Sequence, residues 1–168
     1  MAITVGAHVP EGTLSESTAF DPDTGCPMKP QTHQVGKLVK GKKIVIFGVP
    51  GAFTPTCSAQ HLPGYIERFD QFKAKGVDEI WCMAVNDGFV MAAWGREQNA
   101  GGKVRMMADG SADYTRKLGL EFDLNGKGLG MRCQRFAMVV DGGIVTALAV
   151  EEGGKLDSSR AEAMLARV

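Results

Sequence analysis

The chain has 168 residues, 19 basic against 19 acidic side chains, and a 44% hydrophobic content. Balanced charge argues against a nucleic-acid or membrane-surface binder, which would present a basic face. No run reaches the about 18 apolar residues of a membrane span, and residues 1–10 lack the basic start and apolar run of a secretory signal. The expectation is one domain over 1–168, in a cytoplasmic protein whose thiols stay reduced.

In chain order, residues 20–30 read as a flexible loop, because Pro22, Gly25, Pro27 and Pro30 punctuate them; Cys26 lies inside it. The β-branched run KIVIFGV (43–49) predicts a buried strand, ended by Pro50 and Gly51. Leu62, Ile66, Phe69 and Phe72 recur at helical spacing, with Pro63 expected to kink the helix and Gly76 to stop it. IWCMAV (80–85) predicts a second buried strand, and a helix is expected after Asp87 through Phe89, Val90, Ala93 and Trp94. Gly126 to Gly130 fails the phosphate-loop pattern and reads as a loop. Strands 136–140 and 144–150 flank Asp141-Gly142-Gly143, a hairpin signal, and Ser158 or Ser159 is expected to cap a last helix. This order predicts an α/β fold with a mixed central sheet and helices on both faces. The acidic stretch of Glu151, Glu152 and Asp157 reads as solvated surface.

The chemistry-bearing segment is the turn after the first buried strand. Thr54 suits a helix N-cap, Pro55 the first helical position, and Cys57 then falls in the first turn. There the free N–H groups and the helix dipole favour an anion, and such thiols drop from ~8.5 toward ~7. A buried structural thiol is the competing reading, since unbridged cysteines are commonly buried. His61 stands four residues on, and a Cys–His dyad would indicate a hydrolase or acyl transferase, but no third residue to orient the imidazole is evident. Arg132 and Arg135 both offer a cation near the second half of the chain, and the residues alone do not choose between them.

Pro50, Thr54 and Cys57 match the P-x-x-x-T-x-x-C signature of peroxiredoxins. GVPGAFTPTCSAQHLPGY (48–65), VDEIWCMAVNDGFVMAAW (77–94) and RFAMVVDG (135–142) together resemble the atypical type II, five-like subfamily, with the plant-type members nearest in pattern. The resemblance implies a thioredoxin-like fold and a thiol peroxidase needing no metal or organic cofactor. It makes Cys57 the peroxidatic cysteine, Thr54 the hydroxyl on the peroxide, Pro50 the shield of the thiolate pocket and Arg135 the active-site arginine. His61 becomes a supporting residue. Hydroperoxides are the implied substrates, glutathione, glutaredoxin or thioredoxin the reductant, and a homodimer the expected assembly. Cys82, 25 residues after Cys57, is one candidate resolving thiol, though its place in a buried strand opposes this; Cys26 is a weaker one. Cys133 is expected to be structural or exposed. The stretch 151–159, where vertebrate members carry their resolving cysteine, has none.

Overall fold

Alternation along the central strands decides the architecture. A computed structural model describes residues 1–168. In chain order its strands are β1 (Thr13–Glu16), β2 (Gln31–Gln34), β3 (Lys43–Gly48), β4 (Glu79–Ala84), β5 (Val104–Ala108), β6 (Glu121–Leu124), β7 (Gly130–Cys133), β8 (Phe136–Asp141) and β9 (Ile144–Val150). The helices are α1 (Val35–Leu38), α2 (Leu62–Glu67), α3 (Phe69–Ala74), α4 (Gly88–Glu97), α5 (Asp113–Leu118) and α6 (Ala161–Leu165). Successive strand side chains point to opposite faces. Val45, Phe47, Ile80, Cys82, Ala84, Ala137 and Val139 therefore pack into one core with Leu62, Tyr65, Phe72, Trp94 and Met164. Ile44, Ile46, Trp81, Met83, Phe136 and Met138 enter a second core with Val35, Tyr114 and Leu118. A strand buried on both faces reads as a continuous apolar run, which is why β3 and β4 stand out in the sequence.

The seven-stranded sheet has the order β2-β1-β5-β4-β3-β8-β9, and β6-β7 forms a separate ribbon. β3 runs parallel to β4, and β4 to β5. β8 runs antiparallel to β3 with Gly48 opposite Phe136, and β9 antiparallel to β8 with Val150 opposite Phe136. The end of β3, the start of β8 and the end of β9 thus meet at one end of the strands. This is the mixed sheet with helices on both faces that the sequence implies.

Several local expectations are corrected. The helix 62–76 is two helices that break at Arg68, and the irregularity near Pro63 is a widened π turn, Cys57–His61, ahead of α2. In it the Leu62 N–H donates to the Cys57 carbonyl, five residues back. Gly76 does stop α3: at φ +86 it lets its own N–H reach the Lys73 carbonyl and that of Val77 the Phe72 carbonyl. Asp87 caps α4 by accepting from the Val90 N–H, but Phe89 faces outward, 48% exposed. Neither Ser158 nor Ser159 caps α6, whose N-cap is Arg160. The 20–30 loop is fastened, not flexible in its bonding. Asp21 accepts from the amides of Asp23 and Thr24, and Arg96 donates to the Gly25 carbonyl while stacking 4.1 Å over Phe20. Strands β1, β2 and β5, absent from the sequence reading, complete the far side of the sheet.

Gly48 is the tightest point of the β3–β8 contact. A Cβ there would lie 2.1 Å from Phe136 Cε1 and 3.1 Å from Cys133 Sγ. Gly48→Ala is expected to cost about 1–3 kcal/mol or more by overpacking, read as a lowered urea midpoint. A midpoint equal to the parent's would show that Phe136 swings aside freely.

Candidate active site

Pro50 and Gly51 leave β3 and the chain turns through Phe53, a non-glycine residue held at φ +65, into the helical segment that begins at Pro55. Left-handed backbone at a bulky residue is strained and persists only where surroundings fix it. Here the Ala52 N–H donates to Asn86 Oδ1 at 2.9 Å, and Arg132 Nη1 donates to the Pro50 carbonyl at 3.3 Å. Trp94 Nε1 donates to Ser58 Oγ at 3.0 Å from the helical side.

Thr54 differs in detail from the cap expected. Its carbonyl accepts the first helical bond, from the Ser58 N–H at 2.9 Å, but its hydroxyl donates to the Gly51 carbonyl at 2.7 Å instead of accepting from the first turn. The hydroxyl's lone pairs are left for another donor. The Cys57 amide has no main-chain acceptor. Its side chain is fully buried.

Arg135 sits immediately before β8, and antiparallel pairing brings it across from the end of β3. Its Nη2 donates to Cys57 Sγ at 3.3 Å, its Nη1 to His61 Nδ1 at 2.9 Å, and its Nε to the Gly154 carbonyl at 3.2 Å. Arg135 is 4% exposed. Arg132, the alternative cation, lies outside against the Pro50 carbonyl and the Leu129 carbonyl.

His61 is fixed as one tautomer by its neighbours. A guanidinium can only donate and a carbonyl can only accept. Nδ1 therefore carries the lone pair toward Arg135, and Nε2 carries the proton toward the Ser159 carbonyl at 3.1 Å. Burial, then the Arg135 charge, push its pKa from 6.5 down to about 3. A neutral imidazole with both nitrogens engaged is not free to take the cysteine's proton. The Cys–His dyad is therefore excluded as a catalytic pair. The same Ser159 carbonyl accepts from the Tyr65 hydroxyl at 2.6 Å.

Glu151 is the residue the sequence misplaces: it is 8% exposed, not solvated surface. Its carboxylate accepts the Ser158 and Ser159 hydroxyls at 2.8 and 2.9 Å and the amides of Asp157, Ser158 and Ser159. Burial alone would raise its pKa, but these donors outweigh it and hold the group at about 2. Sequence patterns miss Glu151, Asn86 and Ser159 because each bond that defines their role has a main-chain group on one side, brought close only by the fold.

The other thiols stand apart. Cys82 is fully buried in β4, and burial, with Cys57 and Cys133 nearby, pushes its thiol well up. Cys133 is likewise buried and not exposed, and burial pushes it up; Cys26 is exposed.

A buried sulfur facing a guanidinium, beside a free amide and a hydroxyl at the end of a thioredoxin-like sheet, defines a thiol redox enzyme. The redoxin family model matches residues 4–165. The chain is 50% identical to peroxiredoxin-2B of Arabidopsis thaliana over 163 residues, covering 97% of this chain and 96% of that protein. It is 48% identical to peroxiredoxin-2C of Oryza sativa over 163 residues, covering 97% and 96% of the two chains. Reduced Prx3 from Vibrio vulnificus, solved in complex with hydrogen peroxide, superposes with a TM-score of 0.88 at 50% identity over 98% of both chains. The chain belongs to the peroxiredoxin family, on its type II side, and is a thiol peroxidase of antioxidant function.

The His61 shift carries a pH signature. Above pH 6.5 folded and unfolded chains both hold His61 neutral; below it the unfolded chain takes up a proton that the folded chain refuses until about pH 3. Stability is therefore complete above 6.5 and falls on acidification, by roughly 2–3 kcal/mol near pH 4.5. Thermal melting between pH 7 and about 4.5 is expected to show this slope, and His61→Gln to flatten it. Equal slopes would assign the acid sensitivity elsewhere.

Proposed function

We propose that Cys57 is the peroxidatic thiolate, reducing hydrogen peroxide and alkyl hydroperoxides, with Arg135, Thr54 and Pro50 completing the site. The observation that carries this reading is the 3.3 Å contact from Arg135 Nη2 to a fully buried Cys57 sulfur. The guanidinium stabilises negative charge on sulfur and cannot itself give up its proton. A peroxide R–O–O–H donates its proton to the Thr54 hydroxyl and accepts from the Cys57 amide and Arg135. Pro50, lacking an N–H, covers the pocket without adding a competing donor.

The thiolate attacks the terminal oxygen in line. The sulfur pair forms the S–O bond, the O–O bond breaks, and both its electrons leave on RO⁻, which takes a proton from water to give ROH. Sulfur is oxidised by two electrons to Cys57–SOH while the peroxide is reduced by two. Guanidinium and amide donors aimed at the leaving oxygen stabilise the charge that develops there. An external thiol then condenses with the sulfenic acid and releases water. A second thiol displaces Cys57 from the mixed disulfide and leaves as the oxidised pair.

Glutathione, glutaredoxin or thioredoxin supplies those thiols in this reading, because the chain's own cysteines are poorly placed. Cys82 is buried within a strand hydrogen-bonded on both sides, and its raised pKa keeps it protonated. Cys26 sits in a loop fastened to Arg96. The family match over residues 4–165 supports treating 1–168 as one working unit. A homodimer through the active-site face is supported by Phe53 and Phe89, 51% and 48% exposed on the active-site turn and on the helix that Asn86 ties to it. No helix is long and apolar enough to cross a membrane. We place the protein in the cytoplasm, although a relative 45% identical to it is chloroplastic.

In stopped-flow reaction with hydrogen peroxide, Cys57→Ser is expected to lose all consumption, and Arg135→Ala to slow it about 10²–10³-fold while remaining folded. Consumption by Cys57→Ser at the parental rate would move the reacting group to another residue.

Cys82→Ala and Cys26→Ser are each expected to keep turnover with glutathione and glutaredoxin. Loss of turnover with every reductant in either variant would make that cysteine the resolving thiol.

A further inference from the structure

Arg135 is held by the chain segment that follows β9. The Gly154 carbonyl accepts its Nε, and the Ser159 carbonyl orients His61, whose Nδ1 accepts its Nη1. Both restraints come from residues 151–159, which form no helix or strand. Such a segment has no ladder to fix the direction of its carbonyls.

Glu151 supplies what the ladder does not. Its N–H donates to the Arg135 carbonyl at 2.9 Å, so its backbone is bonded to the residue that the segment must hold. Its buried carboxylate gathers the two hydroxyls and three amides of Asp157, Ser158 and Ser159. Gly153 and Gly154, at φ +58 and +80, let the chain double back between these anchor points. Ser159 is fully buried, as are Tyr65 and, to within 1%, His61. An unbroken path of hydrogen bonds thus runs from the Glu151 carboxylate through Ser159 and His61 to Arg135 and the Cys57 sulfur.

We propose that Glu151 is a positioning residue for the peroxidase reaction, its carboxylate shaping residues 151–159 so that Gly154 and Ser159 aim Arg135 at Cys57. The proposal rests on the assignment of Cys57 and Arg135 made above. A carboxylate offers lone pairs on both oxygens, whereas the NH₂ of a glutamine would be set against donors. Glu151→Gln therefore keeps the shape and removes the function.

The test is a double-mutant cycle on the stopped-flow rate with hydrogen peroxide, each variant first shown folded by far-ultraviolet circular dichroism. Glu151→Gln is expected to slow the wild-type reaction at least about tenfold, and to change the residual rate of Arg135→Met less than about twofold, because no guanidinium is left to aim. A Glu151→Gln rate within about twofold of wild type, or the same loss in both backgrounds, would overturn the proposal. Should Glu151→Gln fail to fold, Ser159→Ala removes one hydroxyl from the carboxylate and keeps the carbonyl; it is expected to slow only the protein that retains Arg135. A wild-type rate no faster than a free thiol's would instead reject Cys57 as the peroxidatic group, separately from the role of Glu151.

Discussion

A buried arginine, Arg135 at 4% exposure, is the constraint around which the site is built. Taking a permanent charge out of water is costly unless its donors are satisfied and its charge is answered. Arg135 donates to a main-chain carbonyl, a neutral imidazole and a sulfur. Of these three acceptors only the sulfur can become an anion. The nearest carboxylate in the network, Glu151, reaches Arg135 only through Ser159 and His61. The positive charge of the pocket therefore faces the Cys57 sulfur, while burial first, and then that same charge, keep His61 neutral.

Topology brings these groups together without long loops. β3 ends at Gly48, opposite the first residue of β8, which in turn faces the last residue of β9. Cys57 follows β3, Arg135 precedes β8 and Glu151 follows β9, so the two ends of the β8–β9 hairpin and the segment after β3 converge at one end of the sheet. Gly48 leaves room there for the Phe136 ring and for Cys133, whose Sγ lies 3.1 Å from where a Gly48 Cβ would stand.

How much of this the sequence discloses depends on where each signal resides. β3, β4 and the β8–β9 hairpin are apolar enough on both faces to be read from composition. β1 and β2, TLSE and QTHQ, are short and polar at the sheet's edge, and their register depends on pairing partners rather than on any pattern of their own. The turn Pro50–Cys57 is legible through its N-terminal helix chemistry, and Arg135 through family resemblance. Glu151 is illegible because acidity in a polar stretch ordinarily means surface; the donors that bury it are mostly backbone amides, which every sequence contains. Thr54 shows the same limit: residue type indicates a cap, but only geometry reveals that its hydroxyl donates to Gly51.

The nature of the partner on Cys57 also separates two chemistries that share a nucleophilic cysteine. Acyl transfer needs a base that takes the thiol proton and later returns it to a leaving amine, and an imidazole with a free nitrogen serves both steps. His61 has no free nitrogen, and the group that touches the sulfur is a cation that never deprotonates. Such a site stabilises negative charge but cannot shuttle protons. Cleavage of an O–O bond asks for that alone: charge begins on sulfur, ends on a leaving oxygen, and the same guanidinium can accompany it across. With Cys57 as the proposed peroxidatic group, the hydrogen bonds around Arg135 favour peroxide over ester or amide as the bond broken.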